Sequence, residues 1–163
     1  MKSGPRRIAG IPAERAALPS VPPKRPRLRA RSTRQPETGQ DKARILVVED
    51  DFLIGLQTVA ALAEAGFNVI GSARTAEEAI ALAKAQQPSL AVMDIRLASE
   101  QDGIDAAREL FKELGIRCIF ATAHDDPHTR VRAEPYAPLG WLAKPYTMAS
   151  LVRSVLDALS KLD

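Results

Sequence analysis

One cysteine, one tryptophan, two tyrosines, four phenylalanines and two histidines are all that this 163-residue chain has of the side chains that most often build reactive or metal-binding sites. Each scarcity excludes something. With Cys118 alone, no intrachain disulfide can form. Cys118 also lies inside the apolar run Cys118-Ile119-Phe120-Ala121, the setting of a small buried hydrophobe and not of a reactive thiol. The chain therefore suits a reducing compartment, and a cytoplasmic location is expected. No Cys/His ligand spacing occurs, so a zinc site is not supported. No stretch approaches the ~20 apolar residues of a membrane span. Arg6-Arg7 precede no apolar h-region, so a secretory signal is not expected. Neither G-x-G-x-x-G nor G-x-x-x-x-G-K-[ST] is present, and Gly71-Ser72-Ala73 is no phosphate loop, which argues against nucleotide binding by those devices. Aromatics are 4% against 45% hydrophobic residues, so the core must be aliphatic.

What is present divides sharply near residue 44. Residues 1–44 carry 12 Lys and Arg against 3 Asp and Glu, whereas the rest carries 11 against 17. Seven of the twelve prolines lie in 1–43, and the run from Pro22 to Arg31 has no apolar period. Such a segment cannot bury enough surface to offset its ordering entropy, and 1–43 reads as a disordered, basic, Pro-rich tail. It offers electrostatic contact to nucleic acid, an acidic partner or a membrane surface, or serves as a solvated linker, or reflects a start codon chosen too far upstream.

From residue 44 onward, strand-like apolar runs alternate with helical periods. The pattern predicts strands at 45–48, 68–72, 89–93, 117–121 and 140–143, and helices at 52–65, 76–86, 103–114, 127–134 and 148–161. Thr75-Ala76-Glu77-Glu78 reads as a capping box and Thr147 as an N-cap. Gly66 and Gly115 stand where left-handed helix caps are expected, and Pro88 stops a helix. The segment 125–138 holds three prolines and one branched aliphatic residue, so the fourth helix should be short or mobile. Five strands alternating with five helices give an α/β fold, a doubly wound parallel sheet with right-handed crossovers.

Polar residues cluster at the predicted strand ends. Glu49 and Asp50 follow Ile45-Leu46-Val47-Val48, Asp94 follows Leu90-Ala91-Val92-Met93, Thr122 follows Ala121, and Lys144 follows Trp141-Leu142-Ala143. In an open parallel sheet the carboxyl ends of the strands share one edge, where ligands bind. Three carboxylates brought together there repel unless a cation joins them, and Mg²⁺ is the hard ion such oxygen donors suit. Asp94 could attack a phosphoryl group to form an aspartyl phosphate, with Lys144 supplying charge and Thr122 a hydroxyl donor. A cis Lys144-Pro145 bond would help to aim the lysine. Each residue also has a plain alternative. Asp50 or Asp51 would serve as the N-cap of the helix at 52, Asp94 as an ordinary strand-end acid, Thr122 as a β-branched strand residue, and Lys144 as a solvated loop lysine. It is their joint occurrence, in order, that points to one site.

These residues carry a family resemblance. Leu46-Val47-Val48-Glu49-Asp50-Asp51, Val92-Met93-Asp94-Ile95-Arg96-Leu97, Asp102-Gly103, Ala121-Thr122-Ala123 and Gly140-Trp141-Leu142-Ala143-Lys144-Pro145 make residues 44–162 resemble the receiver domain of two-component response regulators. The resemblance implies a flavodoxin-like (βα)5 fold with strand order 2-1-3-4-5 over 44–163. It implies that Asp94 accepts phosphate from a histidine kinase or phosphotransfer protein and signals to a downstream protein target. Mg²⁺ would be held by Glu49, Asp50, Asp94 and the backbone carbonyl of Arg96, with Asp50 the direct ligand of the acidic pair. Thr122 and Lys144 fall on the switch hydroxyl and the phosphate-binding lysine. Trp141 stands where the family often has a tyrosine or phenylalanine that turns inward, though its bulk suits a packing role equally. Arg96 and His124 occupy positions that tune the lifetime of the aspartyl phosphate. Phe120-Ala121-Thr122-Ala123 and the Pro-rich fourth helix are also similar to the FAT-motif receivers of alphaproteobacteria.

The sequence shows no second domain after the receiver, so a stand-alone regulator is expected, a monomer or weak dimer whose only catalysis is Mg²⁺-dependent self-phosphorylation and autodephosphorylation. Competing readings are a nucleic-acid-associated protein acting through the tail and a phosphorylation-independent docking module. A haloacid-dehalogenase-type phosphatase needs a second acid two residues after its nucleophile, and Arg96 stands there.

Overall fold

The computed structural model describes residues 43–123 and 126–162, and the expectations for the basic tail and for His124 fall outside them. The strands are β1 Arg44–Val48, β2 Asn68–Ala73, β3 Leu90–Asp94, β4 Arg117–Thr122 and β5 Gly140–Ala143. The helices are α1 Phe52–Glu64, α2 Ala76–Gln86, α3 Gly103–Leu114, α4 Pro127–Ala133 and α5 Met148–Leu159. All five strands pair in parallel in the order β2-β1-β3-β4-β5, the order that the family resemblance implies.

Strand alternation sorts the core into two layers. Ile45 and Val47 face α1 and α5, packing with Leu62, Leu151, Val155 and Ala158. Leu46 and Val48 face α2, α3 and α4, packing with Ala79, Ala83, Ile104, Leu110 and Ala133. Many of these side chains are fully buried, each worth about 1.5–3 kcal/mol for the larger aliphatics. Central strands buried on both faces explain why 45–48 and 90–93 read as unbroken apolar runs.

Several ends differ from expectation. β3 and β4 each extend one residue further, so Asp94 and Thr122 close their strands instead of following them. The α5 helix stops at Leu159, not 161. The cap of α2 is only half a capping box. Thr75 Oγ1 accepts from Glu78 N at 3.2 Å, but Glu78 Oε2 accepts from Arg74 N at 2.8 Å and not from the cap residue. A complete capping box forms instead at Asp102 and Asp105, opening α3. Thr147 caps α5 as expected, accepting from Ser150 N at 3.1 Å. The fourth helix is short, seven residues followed by a 3₁₀ turn at Glu134–Tyr136, because Pro135 and Pro138 withhold the donors a longer helix needs.

Candidate phosphoryl-acceptor site

The first turn after β1 divides the labour among three adjacent acids. Asp51 is the N-cap of α1, its Oδ1 accepting from Leu53 N at 2.9 Å and Ile54 N at 3.0 Å. This settles which acid caps the helix and releases Asp50, whose carboxylate has no hydrogen-bond donor among the described residues. Glu49 is buried, 4% exposed, and its Oε1 accepts from Asp51 N at 3.3 Å. Asp94, at the end of the neighbouring β3, is 6% exposed. One oxygen each from Glu49, Asp50 and Asp94 lies within 4.8 Å of the others.

Lys144 is brought in from the far edge. It follows β5, its peptide to Pro145 is cis, and its backbone N–H donates to the Thr122 carbonyl at 2.8 Å. The Nζ donates to Glu49 Oε2 and to Asp94 Oδ2, both at 2.7 Å. The other Asp94 oxygen, Oδ1, accepts from Arg96 N at 3.2 Å. The electrostatics follow from this crowding. Burial, reinforced by the Asp94 charge, pushes the Glu49 carboxyl up to about 7 against the pull of Lys144. Burial of Lys144 would by itself favour the neutral amine, but its bonds to Asp94 and Glu49 outweigh it and hold the ammonium above its ordinary value. Two acids sharing one ammonium leave unneutralised negative charge, and a third acid adds to it. The donor set is oxygen only, which fits a hard divalent cation and not a thiolate- or imidazole-seeking one.

The other candidate residues stand on β4, in the loop after β3 and on β5. Thr122 is buried at the end of β4, beside Ala143 in the register. Arg96 is exposed, and its guanidinium has no partner among the described residues. Trp141 is half-buried, its ring stacked on Phe120 at 5.0 Å between centroids and covered by the Arg130 guanidinium at 4.7 Å.

Four features escaped sequence reasoning. Arg74 Nε donates to the Asp50 carbonyl at 3.0 Å. Arg132 of α4 pairs with Asp102 at 2.8 Å, and with Asp105 at 4.0 Å. Gly103 lies so close to β3 that a Cβ would stand 1.9 Å from the Asp94 carbonyl oxygen. Phe52, Leu53 and Leu56 of α1 are more than half exposed beside the acids. None of the four leaves a mark in residue spacing except the last, since α1 carries no charge before Glu64.

A parallel sheet in the order 2-1-3-4-5, with a lysine-bridged acid pocket at its carboxyl edge, defines a flavodoxin-like signalling module. The family comparison agrees: residues 45–156 match the response regulator receiver domain, and the chain belongs to that family. It is similar to the transcriptional regulatory protein PdtaR of Mycobacterium tuberculosis, 31% identical over 129 residues that cover 77% of this chain and 62% of that protein. It is similar also to the phyllosphere-induced regulator PhyR of Methylorubrum extorquens, 36% identical over 116 residues, 71% of this chain and 43% of that protein. Among solved structures, the signal receiver domain of NarL from M. tuberculosis matches with a TM-score of 0.67 and 33% identity, over 73% of this chain and 97% of that one. The chain thus spans less than two thirds of the length of these two regulators. Receiver domains are phospho-acceptor modules and not classical enzymes, and no helix among the described residues is long and apolar enough to cross a membrane.

Proposed function

We propose that Asp94 is the phosphoryl acceptor of this receiver and that a histidine kinase or phosphotransfer protein is the donor. The observation that carries this reading is the Lys144 ammonium held at 2.7 Å from both Asp94 and Glu49, with the Asp50 carboxylate lacking a donor among the described residues. Asp94 attacks the phosphorus of a phosphohistidine; the new P–O bond forms as the P–N bond breaks, and its electron pair returns to the imidazole. Lys144 neutralises charge on the transferred group, and the Thr122 hydroxyl donates to one of its oxygens. Glu49, Asp50, Asp94 and the Arg96 carbonyl would hold Mg²⁺, which when bound supplies charge to the phosphoryl oxygens.

The exposed Phe52, Leu53 and Leu56 flank the acids and favour a protein donor, since a small phosphodonor would not need them. The output is a phosphorylation-dependent contact with a downstream protein, reached by shifting a two-state equilibrium that changes the surface of α4, β5 and α5. The run Phe120-Ala121-Thr122 and the seven-residue α4 support placement among FAT-motif receivers.

Trp141, the only tryptophan, gives the test. A saturable change in its fluorescence with Mg²⁺ and then beryllofluoride, absent in Asp94→Asn, is expected. No change, with no bound beryllofluoride by fluorine NMR, would refute the reading.

A further inference from the structure

Arg74 follows β2 and belongs to none of the acids, yet it ties together both halves of the pocket frame. Its Nε donates to the Asp50 carbonyl at 3.0 Å. Its own carbonyl accepts from Ala98 N at 3.4 Å, in the loop that runs on from Asp94. Its backbone N–H donates to Glu78 Oε2 at 2.8 Å, which anchors it to the first turn of α2. Two residues on, Ala76 N donates to Ser99 Oγ at 3.3 Å, and Ser99 Oγ donates to the Gln101 carbonyl at 2.7 Å. The loop after β2 therefore bonds to both the acidic turn after β1 and the loop after β3.

The direction of the guanidinium is informative. It bonds to the neutral carbonyl of Asp50 and not to the carboxylate, so it fixes the turn without forming an ion pair that competes with a cation. A bond from a charged donor to a carbonyl is stronger than a neutral one. Asp50 has little else to hold it: it lies beyond the last residue of β1 and is not the cap of α1.

We propose, resting on the reading that the acidic trio takes a divalent cation, that Arg74 is a positioning residue for that trio. Its Nε bond holds the Glu49–Asp51 turn in register with Asp94 and so sets how tightly the pocket takes the ion.

Two substitutions separate position from charge. Arg74→Gln keeps an N–H donor at the same number of bonds from the backbone and removes the charge. Arg74→Met keeps the length and removes both. If the arginine acted only as a positive charge, either change would tighten Mg²⁺ binding, because a guanidinium repels a dication. Positioning predicts the opposite sign for methionine alone. In the full chain, Mg²⁺ titrated against Trp141 fluorescence should bind about five- to tenfold more weakly in Arg74→Met, the scale of one net hydrogen bond. Arg74→Gln should bind within about twofold of the unaltered protein. Arg74→Met binding as tightly as the unaltered chain, or more tightly, would overturn the proposal. A second readout needs no metal. The Asp51 amide donates to Glu49 Oε1 at 3.3 Å, and its hydrogen exchange followed by NMR should quicken about tenfold in Arg74→Met but not in Arg74→Gln. Unchanged exchange in Arg74→Met would sink the idea even if the unaltered protein took no Mg²⁺, an outcome that would separately refute the cation site.

Discussion

Lys144 Nζ stands 2.7 Å from Asp94 Oδ2 although 50 positions separate the two residues in the chain. The contact joins the third strand to the fifth across the width of β4, and it sits where two buried carboxylates would otherwise repel. Removing it has a definite cost. Lys144→Met should destabilise the metal-free protein by about 3 kcal/mol, the low end of the range for stripping one partner from a buried ion pair. Added Mg²⁺ should restore part of that loss. Urea unfolding with and without the ion measures both.

Gly103→Ala places a methyl against backbone. Its Cβ would lie 1.9 Å from the Asp94 carbonyl oxygen and 3.0 Å from Ile95 Cα, neither of which can swing aside as a side chain can. The expected destabilisation is about 1–3 kcal/mol, as for other overpacked sites, despite the better helix propensity of alanine. Beryllofluoride affinity should fall in parallel, since the displaced atoms belong to Asp94 itself.

Asp102 gives the clearest pH dependence. Its burial opposes ionisation, but Arg132 and the backbone N–H groups of Asp105 and Ile104 outweigh that and hold its carboxyl below the ordinary 3.8. The folded state therefore binds this proton less readily than the unfolded chain. Its contribution is complete above the unfolded value and is lost as pH falls through the folded one. Asp102→Asn should lower stability by about 1 kcal/mol at neutral pH, with the difference shrinking below pH 4. Thermal melts between pH 3 and 7 test it.

Arg130→Ala should shift Trp141 emission to longer wavelength, because the guanidinium that covers the ring at 4.7 Å is replaced by water. The accompanying loss of stability should be about 0.5–1 kcal/mol, the scale of an exposed cation–π contact.

Arg96→Ala should shorten the lifetime of the aspartyl phosphate. The exposed guanidinium lies two residues from Asp94 and is free to bond a phosphoryl oxygen and screen it from water. An unchanged decay of phosphorylated protein would refute that role.

The alternation of strands and helices and the short α4 were legible in sequence because each rests on local pattern, whereas the sheet order came only through the family resemblance. Central strands buried on both sides leave unbroken apolar runs, and strand ends leave polar residues behind them. Which of Asp50 and Asp51 caps α1 was not legible, because either spacing suits a cap and only the folded turn chooses Asp51. The bond of Glu78 to Arg74 in place of Thr75 was hidden for a similar reason: a one-residue difference in the donating N–H leaves the motif unchanged. Arg74, Arg130 and Arg132 act across elements, to Asp50, Trp141 and Asp102, and long flexible side chains carry no period that announces such partners.

The site draws on the first strand of the sheet and the last, with Glu49 beside β1 and Lys144 beside β5, so no piece of the domain that lacks either of these two strands contains it. A chain with its final strand undocked lacks the ammonium that completes the pocket. On the proposed reading of Asp94 as the acceptor, competence to receive a phosphoryl group would report that the first and last strands are both in place.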